Sequence, residues 1–557
     1  MLNRYVLAVI LLEVASLVAA HEVDEAHEAG IAGVEIPESA ASNNATRSDL
    51  YSMSSYAGLS EQSSVVIAHI VLMFAAWFFV LPIGVMFSIA RSRLGFFTQS
   101  IFIPLNSLGV LLGIIYNDKT PDLYQNNAHH TIGWIATWVT TVHAALSLVF
   151  FYAGQHHSMS LIAAGRAAFF PLTRDRRQAS RAPRPCSGRH GSAIALQRLS
   201  EDSQKSDFED IDDDDESPVR LPCRPNRLGI SFLNRFLGTR LSDGVLPRLM
   251  GTLKALYDIV DRTVLVLGFL ALVTGGVTYT GIFRGNHIFN GLAHFMKGGI
   301  FFWYGLLTLG RWMGCFAEYG WAWNMGSLTS SAPSAEFVEC FCIFLYGLSN
   351  MFLEHLAAWG GAWTAQDLEH VSISMMFFGG GLCGLLVESK KIRKWLDTTI
   401  IESARIHDNA PGLPRPSKVY NYSTNPMPAL IILLLGLMMS SHHQSSVVST
   451  TVHKQWGMLL VGFSVMRMLT YIVMYISPPD SVYASRPPSE LVASFCLISG
   501  GIVFMASTKD IVHWMEEANL MGMFIFTVAM GLTAFIMAYE ILVLSLKGWV
   551  ARRELRK

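Results

Sequence analysis

The sequence predicts an all-α fold, a polytopic transmembrane helix bundle of about eleven spans, from three observations. Long apolar stretches recur along the chain, and each can cross a hydrocarbon core of about 30 Å, which takes roughly 20 helical residues. Basic residues flank alternate ends of these stretches, as expected where Lys and Arg stay on the cytoplasmic side. Hydrophobic residues make up 51% of the chain and charged residues only 15%, so most of it is suited to the lipid bilayer.

The predicted spans are separated by turns, charges or polar runs. They cover residues 65–90, 98–116, 130–153, 260–283, 289–310, 336–356, 369–388, 427–441, 454–476, 489–507 and 519–546. Basic residues close the first, fifth, seventh, ninth and last spans, so these ends are expected in the cytoplasm. The amino terminus is then lumenal or extracellular and the carboxyl terminus cytoplasmic, in a membrane of the secretory pathway or in the plasma membrane.

The amino-terminal segment has the features of a cleaved secretory signal peptide. Residues 1–20 begin with a basic residue, continue through an apolar middle and end with small residues. Residues 21–64 form a polar lumenal segment with an Asn-Ala-Thr acceptor sequence for glycosylation at Asn44. The second acceptor sequence, at Asn421, falls on the cytoplasmic side in this topology and is expected to stay unmodified.

A long polar segment divides the predicted helices into two groups. Residues 154–258 run from a basic part to an acidic part with few apolar residues, which predicts a disordered cytoplasmic linker. The linker separates a three-helix membrane unit at 65–153 from a larger helical unit at 259–547, and a basic cytoplasmic tail follows at 548–557. The formal net charge of -1 gives no reason to expect a nucleic-acid partner, and nothing in the sequence indicates an oligomeric state.

Two histidines of the three-helix unit are candidate haem ligands. The first and third spans run in the same direction and carry His69 and His130 in their first turns, so the two imidazoles can face each other at one depth. A six-coordinate haem b requires one imidazole on each axial position. The alternative is structural, with both histidines capping helix ends and hydrogen-bonding to neighbours.

Several motifs of this unit resemble the transmembrane b-type cytochrome and ferric reductase superfamily. They are HIVLM from His69, LPIG further along the same span, Arg91 at its end, and HHTIG from His129. The resemblance implies one haem ligated by His69 and His130. Members of that superfamily generally hold a second haem through a histidine on the intervening helix, but this chain has Asn106 there and no histidine in its fourth span. At most one haem is therefore expected.

The chain as a whole resembles the fungal Ytp-like integral membrane proteins. The C-terminal string KGGIFFWYGLLTLGRWMG, at residues 297–314, carries this resemblance together with the N-terminal unit and the long polar loop. It covers nearly the full mature length and implies the fold and the topology, but no activity.

Histidine and carboxylate side chains collect at the outer ends of the C-terminal spans. Imidazole together with carboxylate suits zinc, copper or iron, so these spans are expected to converge on a divalent-metal or proton site that opens to the lumen. His287 and His294 lie two turns apart on one face of the fifth span. Alternatively, all of these are polar residues at the membrane boundary, since no tight HxxxH or HExxH spacing occurs. The candidate metal ligands are Glu354, His355, Asp367, His370, His442, His443 and His453.

Three classes of function remain open from the sequence. The first is a redox protein with one haem b near the lumenal side. The second is a transporter or sensor for metal ions or protons, and the third is a non-catalytic membrane scaffold. A metal-dependent intramembrane hydrolase is a weaker fourth class, because Ser372 and Ser374 accompany no nucleophile elbow and no zincin motif. The sequence does not decide whether the chain is an enzyme.

Overall fold

The computed structural model describes residues 55–156, 245–326, 332–353, 363–408, 422–442 and 444–556. These ranges are helical and contain no β-strand. The helices are α1 Ser63–Ile89, α2 Leu94–Lys119, α3 Ala128–His156, α4 Val245–Thr280, α5 Ile288–Met313, α6 Ala335–Leu353, α7 Ala365–Glu388, α8 Lys390–Asp408, α9 Met427–Ser441, α10 Val447–Ile476, α11 Pro488–Met505, α12 Lys509–Glu517 and α13 Gly522–Leu555.

Each predicted span coincides with a helix, which confirms the all-α membrane bundle. Within the described ranges, 7 helices are long and apolar enough to cross a membrane by length and composition. They are α1, α2, α4, α7, α10, α11 and α13. Helix α9 is also apolar, but with 15 residues it is shorter than these seven helices. Two further helices, α8 and α12, were not predicted, because each carries too many charges to be found as a span.

The described helices divide into two compact units. The larger unit contains the described residues up to Ala145 and those from Tyr257 onwards. The second unit is Leu146–Leu256, of which the structure describes the last part of α3 and the first part of α4. Helix α4 begins at Val245, so it extends into the predicted linker rather than starting at the predicted boundary of the C-terminal unit, residue 259.

Helix α1 changes its hydrogen-bond pattern near its centre. A π-helical stretch at Ala75–Val80 precedes Pro82, which has no N–H to donate to the preceding turn. The carbonyl of Phe79, in this stretch, accepts a hydrogen bond from the hydroxyl of Tyr539 on α13 (2.8 Å). The ring of Tyr539 also stacks on Phe78, with 5.2 Å between the centroids. These contacts join the first helix to the last.

The first three helices pack together with α4, which the sequence analysis assigned to the C-terminal unit. Trp77 of α1 lies against Gly268 of α4, and its indole N–H donates to Oδ1 of Asn106 on α2 (2.9 Å). Towards the other end of α1, the hydroxyl of Ser88 donates to Oδ2 of Asp261 on α4 (2.5 Å). The amino-terminal part of the larger unit is therefore a group of four helices, α1 to α4.

Glycine allows the C-terminal helices to approach each other closely. A Cβ built at Gly436 of α9 would lie 2.6 Å from the carbonyl oxygen of Gly457 on α10. A Cβ at Gly298 of α5 would similarly lie 2.8 Å from the carbonyl oxygen of Gly501 on α11. Distances this short leave no room for a side chain. The helices therefore meet backbone to backbone, as small residues permit in membrane proteins.

We expect Gly436→Ala to destabilise the protein by about 1–3 kcal/mol, because the added methyl group would strike the backbone of α10 and push the two helices apart. Gly531→Ala on α13 is the matched control, since no neighbouring atom lies within 4 Å of a Cβ there and alanine favours a helix over glycine. Thermal unfolding of the purified variants in detergent tests this. Equal melting temperatures of the two variants would contradict the packing role of Gly436.

Candidate functional site

Two imidazoles from different helices lie together at the beginning of α1 and α3. The ring of His69 is 6.4 Å from the ring of His129, centroid to centroid, with 77° between their planes. The sequence predicts His130, rather than His129, as the partner of His69. The side chain of His130 is exposed, and its Nε2 accepts a hydrogen bond from the indole N–H of Trp134 (3.3 Å). The structure therefore places His129, one residue earlier, beside His69.

Neighbouring helices contact both rings. Nδ1 of His69 lies 2.8 Å from the carbonyl oxygen of Gly109 on α2. A carbonyl oxygen can only accept, so this Nδ1 carries the hydrogen and Nε2 keeps its lone pair. The ring of His129 lies against Gly275 of α4, and its Nδ1 is 3.5 Å from Oγ1 of Thr274 on the same helix. Histidines that bind metals usually show the arrangement of His69, in which the other ring nitrogen donates to a carbonyl or a carboxylate.

Glycines border the two rings. A Cβ at Gly113 of α2 would lie 3.0 Å from Nδ1 of His69, and a Cβ at Gly275 of α4 would lie 3.0 Å from Cε1 of His129. The backbones of α2 and α4 therefore approach the two imidazoles directly.

The separation of the two rings suits axial ligation of a single iron. A metal–imidazole bond is about 2 Å long and the ring centre lies about 1.1 Å beyond the nitrogen, so two axial imidazoles have centroids about 6 Å apart. The observed distance is 6.4 Å. By ring separation alone, His69 and His129 could hold one iron ion between them.

The opposite half of the four-helix group does not repeat this pair. His143 of α3 is buried, and its Nε2 lies 2.8 Å from Oδ1 of Asp261 on α4. The amide of Gln99 contacts the other ring nitrogen at 3.1 Å, and the ring of Tyr257 stacks on the imidazole at 4.2 Å. His143 is thus engaged by a carboxylate, an amide and a phenol ring, rather than by a second imidazole from the described part of these helices.

Most of the predicted metal ligands do not come together in the part of the chain that the structure describes. Asp367 caps α7, because its Oδ2 accepts a hydrogen bond from the backbone N–H of Thr364 (2.8 Å). Glu369 and His442 approach to 3.8 Å, but their side chains are 58% and 41% exposed, and an exposed ion pair contributes little. His370 is half-buried on α7. Outside the described residues lie Glu354, His355 and His443.

The last predicted ligand, His453 of α10, lies beside a histidine of another helix. Its ring centroid is 6.1 Å from that of His294 on α5. His287, predicted on the same face as His294, instead contacts Asp510 at the start of α12, and the second carboxylate oxygen of Asp510 accepts from the N–H of Phe283 (2.7 Å). Among the described residues, no group of three or more His, Cys, Asp or Glu side chains could hold a metal ion.

A buried network of charges lies near the other end of α5 and α10, and the sequence analysis missed it. Arg467 of α10 donates from Nε to Oε1 of Glu490 on α11 (2.8 Å) and from Nη1 to Oε1 of Glu339 on α6 (3.3 Å). Arg311 of α5 donates to the same Oε1 of Glu339 (2.7 Å) and to Oε1 of Glu336 (3.2 Å). The network therefore ties four helices together at one level.

The loop after α5 covers this network with aromatic side chains. Trp323 lies over both guanidinium groups, 4.6 Å from Cζ of Arg311 and 5.3 Å from Cζ of Arg467. Nε of Arg311 also donates to the carbonyl of Trp321 (2.9 Å). Both arginine side chains are at most 2% exposed. Removal of one partner would leave a buried charge uncompensated. The network therefore opposes sliding of the four helices along one another.

We expect Arg467→Ala to cost about 3–5 kcal/mol of stability, because Glu490 would stay buried without its guanidinium. Lys454→Ala on the same helix is the matched control, since Lys454 is exposed and its loss should change stability by less than about 0.5 kcal/mol. Chemical unfolding of the purified variants in detergent gives both values. If the arginine variant unfolded like the lysine variant, the network would not contribute to stability.

Comparisons with known proteins agree with the membrane fold. Residues 267–548 match the family model described as Protein YTP1-like, C-terminal. Residues 50–153 match a domain of unknown function, DUF2427. No solved structure matches the chain.

Three fungal relatives are similar to the chain. An uncharacterized membrane protein of Schizosaccharomyces pombe is 33% identical over 514 residues, which cover 88% of this chain and 94% of the relative. An uncharacterized membrane protein of Saccharomyces cerevisiae is 41% identical over 301 residues, 51% of this chain and 46% of that protein. Protein YTP1 of Saccharomyces cerevisiae is 23% identical over 254 residues, 44% of this chain and 45% of that protein. This chain is therefore a member of the YTP1-like family of multi-pass membrane proteins.

Proposed function

We propose that this membrane protein binds one haem b between α1 and α3, held by His69 and His129. The observation that carries the proposal is the pair of imidazoles at 6.4 Å, with His69 hydrogen-bonded to the backbone of α2 and His129 packed on the backbone of α4. When bound, haem b supplies one-electron chemistry.

The surrounding residues have defined tasks in this proposal. The carbonyl of Gly109 orients the ring of His69 and makes its Nε2 a stronger donor to a metal. Gly113 and Gly275 keep side chains away from the two rings. Further along the helices, the buried rings of Trp77 and Phe102 pack edge to face at 5.4 Å and separate the site from the opposite half of the four-helix group.

With a single haem, electron transfer would be restricted to one face of the membrane. His143 is engaged by Asp261 in the opposite half, so the proposal includes no second haem there. One centre near one membrane face exchanges electrons with partners at that face and does not by itself carry an electron across the bilayer. The proposed class is therefore a redox protein that acts on one side of the membrane.

A reduced-minus-oxidised spectrum of the protein, purified from a haem-replete host, should show b-type bands. These bands should disappear in His69→Ala and in His129→Ala, because each change removes an axial ligand. His130→Ala is the matched control, since this exposed neighbour of His129 has its ring beside Trp134 and should leave the bands intact. A colourless wild-type protein, or bands that depend on His130 but not on His129, would refute the proposal.

We infer from the basic flanks of the spans and from the predicted signal peptide that the amino terminus is lumenal and the carboxyl terminus cytoplasmic. Glycosidase treatment should then shift the wild-type protein on a gel but not the Asn44→Gln variant. Asn421→Gln should behave like the wild type. Both residues lie outside the described ranges. If a carboxyl-terminal tag were protected from protease added on the cytosolic side, the inferred orientation would be wrong.

A further inference from the structure

We propose that His294 and His453 form a binding site for a monovalent copper ion, Cu(I). The two residues lie near the beginning of α5 and α10, and their ring centroids are 6.1 Å apart. The site belongs to the C-terminal helices and shares no residue with the proposed haem site, so neither proposal depends on the other.

Hydrogen bonds fix the tautomer of both histidines. Nδ1 of His294 lies 2.8 Å from the carbonyl oxygen of Asn290, and Nδ1 of His453 lies 2.8 Å from that of Ser449. In each case the carbonyl belongs to the preceding turn of the chain and can only accept a hydrogen bond. Nδ1 therefore carries the hydrogen, and Nε2 of both rings has a free lone pair. This is the form in which histidine binds metals, and binding to it releases no proton.

The distance between the rings permits both to bind one ion. Two metal–imidazole bonds of about 2 Å and two ring radii of about 1.1 Å place the centroids of collinear ligands about 6 Å apart. The observed separation is 6.1 Å, with 88° between the planes. Rotation of either ring about its metal–nitrogen bond does not change the bond, so perpendicular planes are compatible with a shared ion.

The number of ligands and the nearby charges select the ion. Zinc sites use three or four protein ligands, and among the described residues no group of three or more His, Cys, Asp or Glu side chains could hold a metal ion. Cu(I), a soft closed-shell ion, accepts two nitrogen ligands in line. Lys297 lies about one turn from His294 on α5, and the backbone N–H of Lys509 donates to the side chain of Asn290, one turn before His294 (3.0 Å). Their positive charges oppose a divalent ion about twice as strongly as a monovalent one.

Aromatic rings form one wall of the site. Phe504 lies 5.5 Å from the ring of His294, and Trp456 lies 5.9 Å from the ring of His453. The two aromatic rings stack on each other at 4.1 Å and are buried. They exclude water and occupy space that a macrocycle would need. Exclusion of water also favours Cu(I) over Cu(II), which prefers tetragonal sites with more ligands.

The test uses the full-length protein, purified in detergent under anaerobic reducing conditions and titrated with Cu(I) in competition with the chromophoric chelator bicinchoninate. Wild type should bind one Cu(I) per chain. His294→Gln and His453→Gln should each bind at least about a hundredfold more weakly, because each loses one of two bonds. His513→Gln, which changes an exposed histidine of α12 that pairs with Glu517, should bind like wild type. No binding by wild type, or equal binding by all variants, overturns the proposal.

X-ray absorption at the copper edge of the loaded wild type gives a readout that does not require the variants to fold. Scattering from two imidazoles alone supports the proposal. A sulfur ligand, or more than two ligands, overturns it. The haem spectrum, measured on the same variants, should be unchanged, so failure of the copper site and failure of the haem site are distinguishable.

Discussion

The pairing of Arg467 with Glu490 inside an apolar bundle is the interaction on which the arrangement of the C-terminal helices depends. A guanidinium group out of water is tolerated only when acceptors surround it, so α6, α10 and α11 cannot slide past one another without breaking its contacts. Arg311 extends the same constraint to α5. Helices α5 and α10 carry His294 and His453 roughly 20–25 Å further along, at 1.5 Å per residue. The same two helices therefore carry the charge network at one end and the two imidazoles at the other.

Much of the fold could be predicted because a membrane span is a local property of the sequence. About 20 apolar residues define a span wherever its neighbours lie, and each predicted span is a helix. The two helices that were missed, α8 and α12, show the limit of this argument. Helix α8 begins with Lys390 and Lys391 and exposes Trp395 and Leu396, so its apolar residues lie among charges and do not form a continuous apolar run.

The sites were less predictable, because they depend on which helices are neighbours. His129 and His130 lie at nearly the same depth but point about 100° apart around the helix, so an argument from depth could not choose between them. The pairing of His294 with His453 needs the relative position of α5 and α10, which no local pattern contains. The charge network did leave a signal. Glu339 and Arg467 have opposite charges and both fall within predicted spans, where an ionisable residue requires a partner.

Helix α4 follows the long polar segment in the chain, yet its side chains pack against the helices that precede that segment. Trp77 packs on Gly268, and the hydroxyl of Ser88 donates to Asp261. The hydroxyl of Tyr539 on the last helix donates to a carbonyl of α1. The two halves of the polypeptide therefore contact each other directly through their membrane helices. A cut in the peptide that joins them would leave two fragments with complementary surfaces.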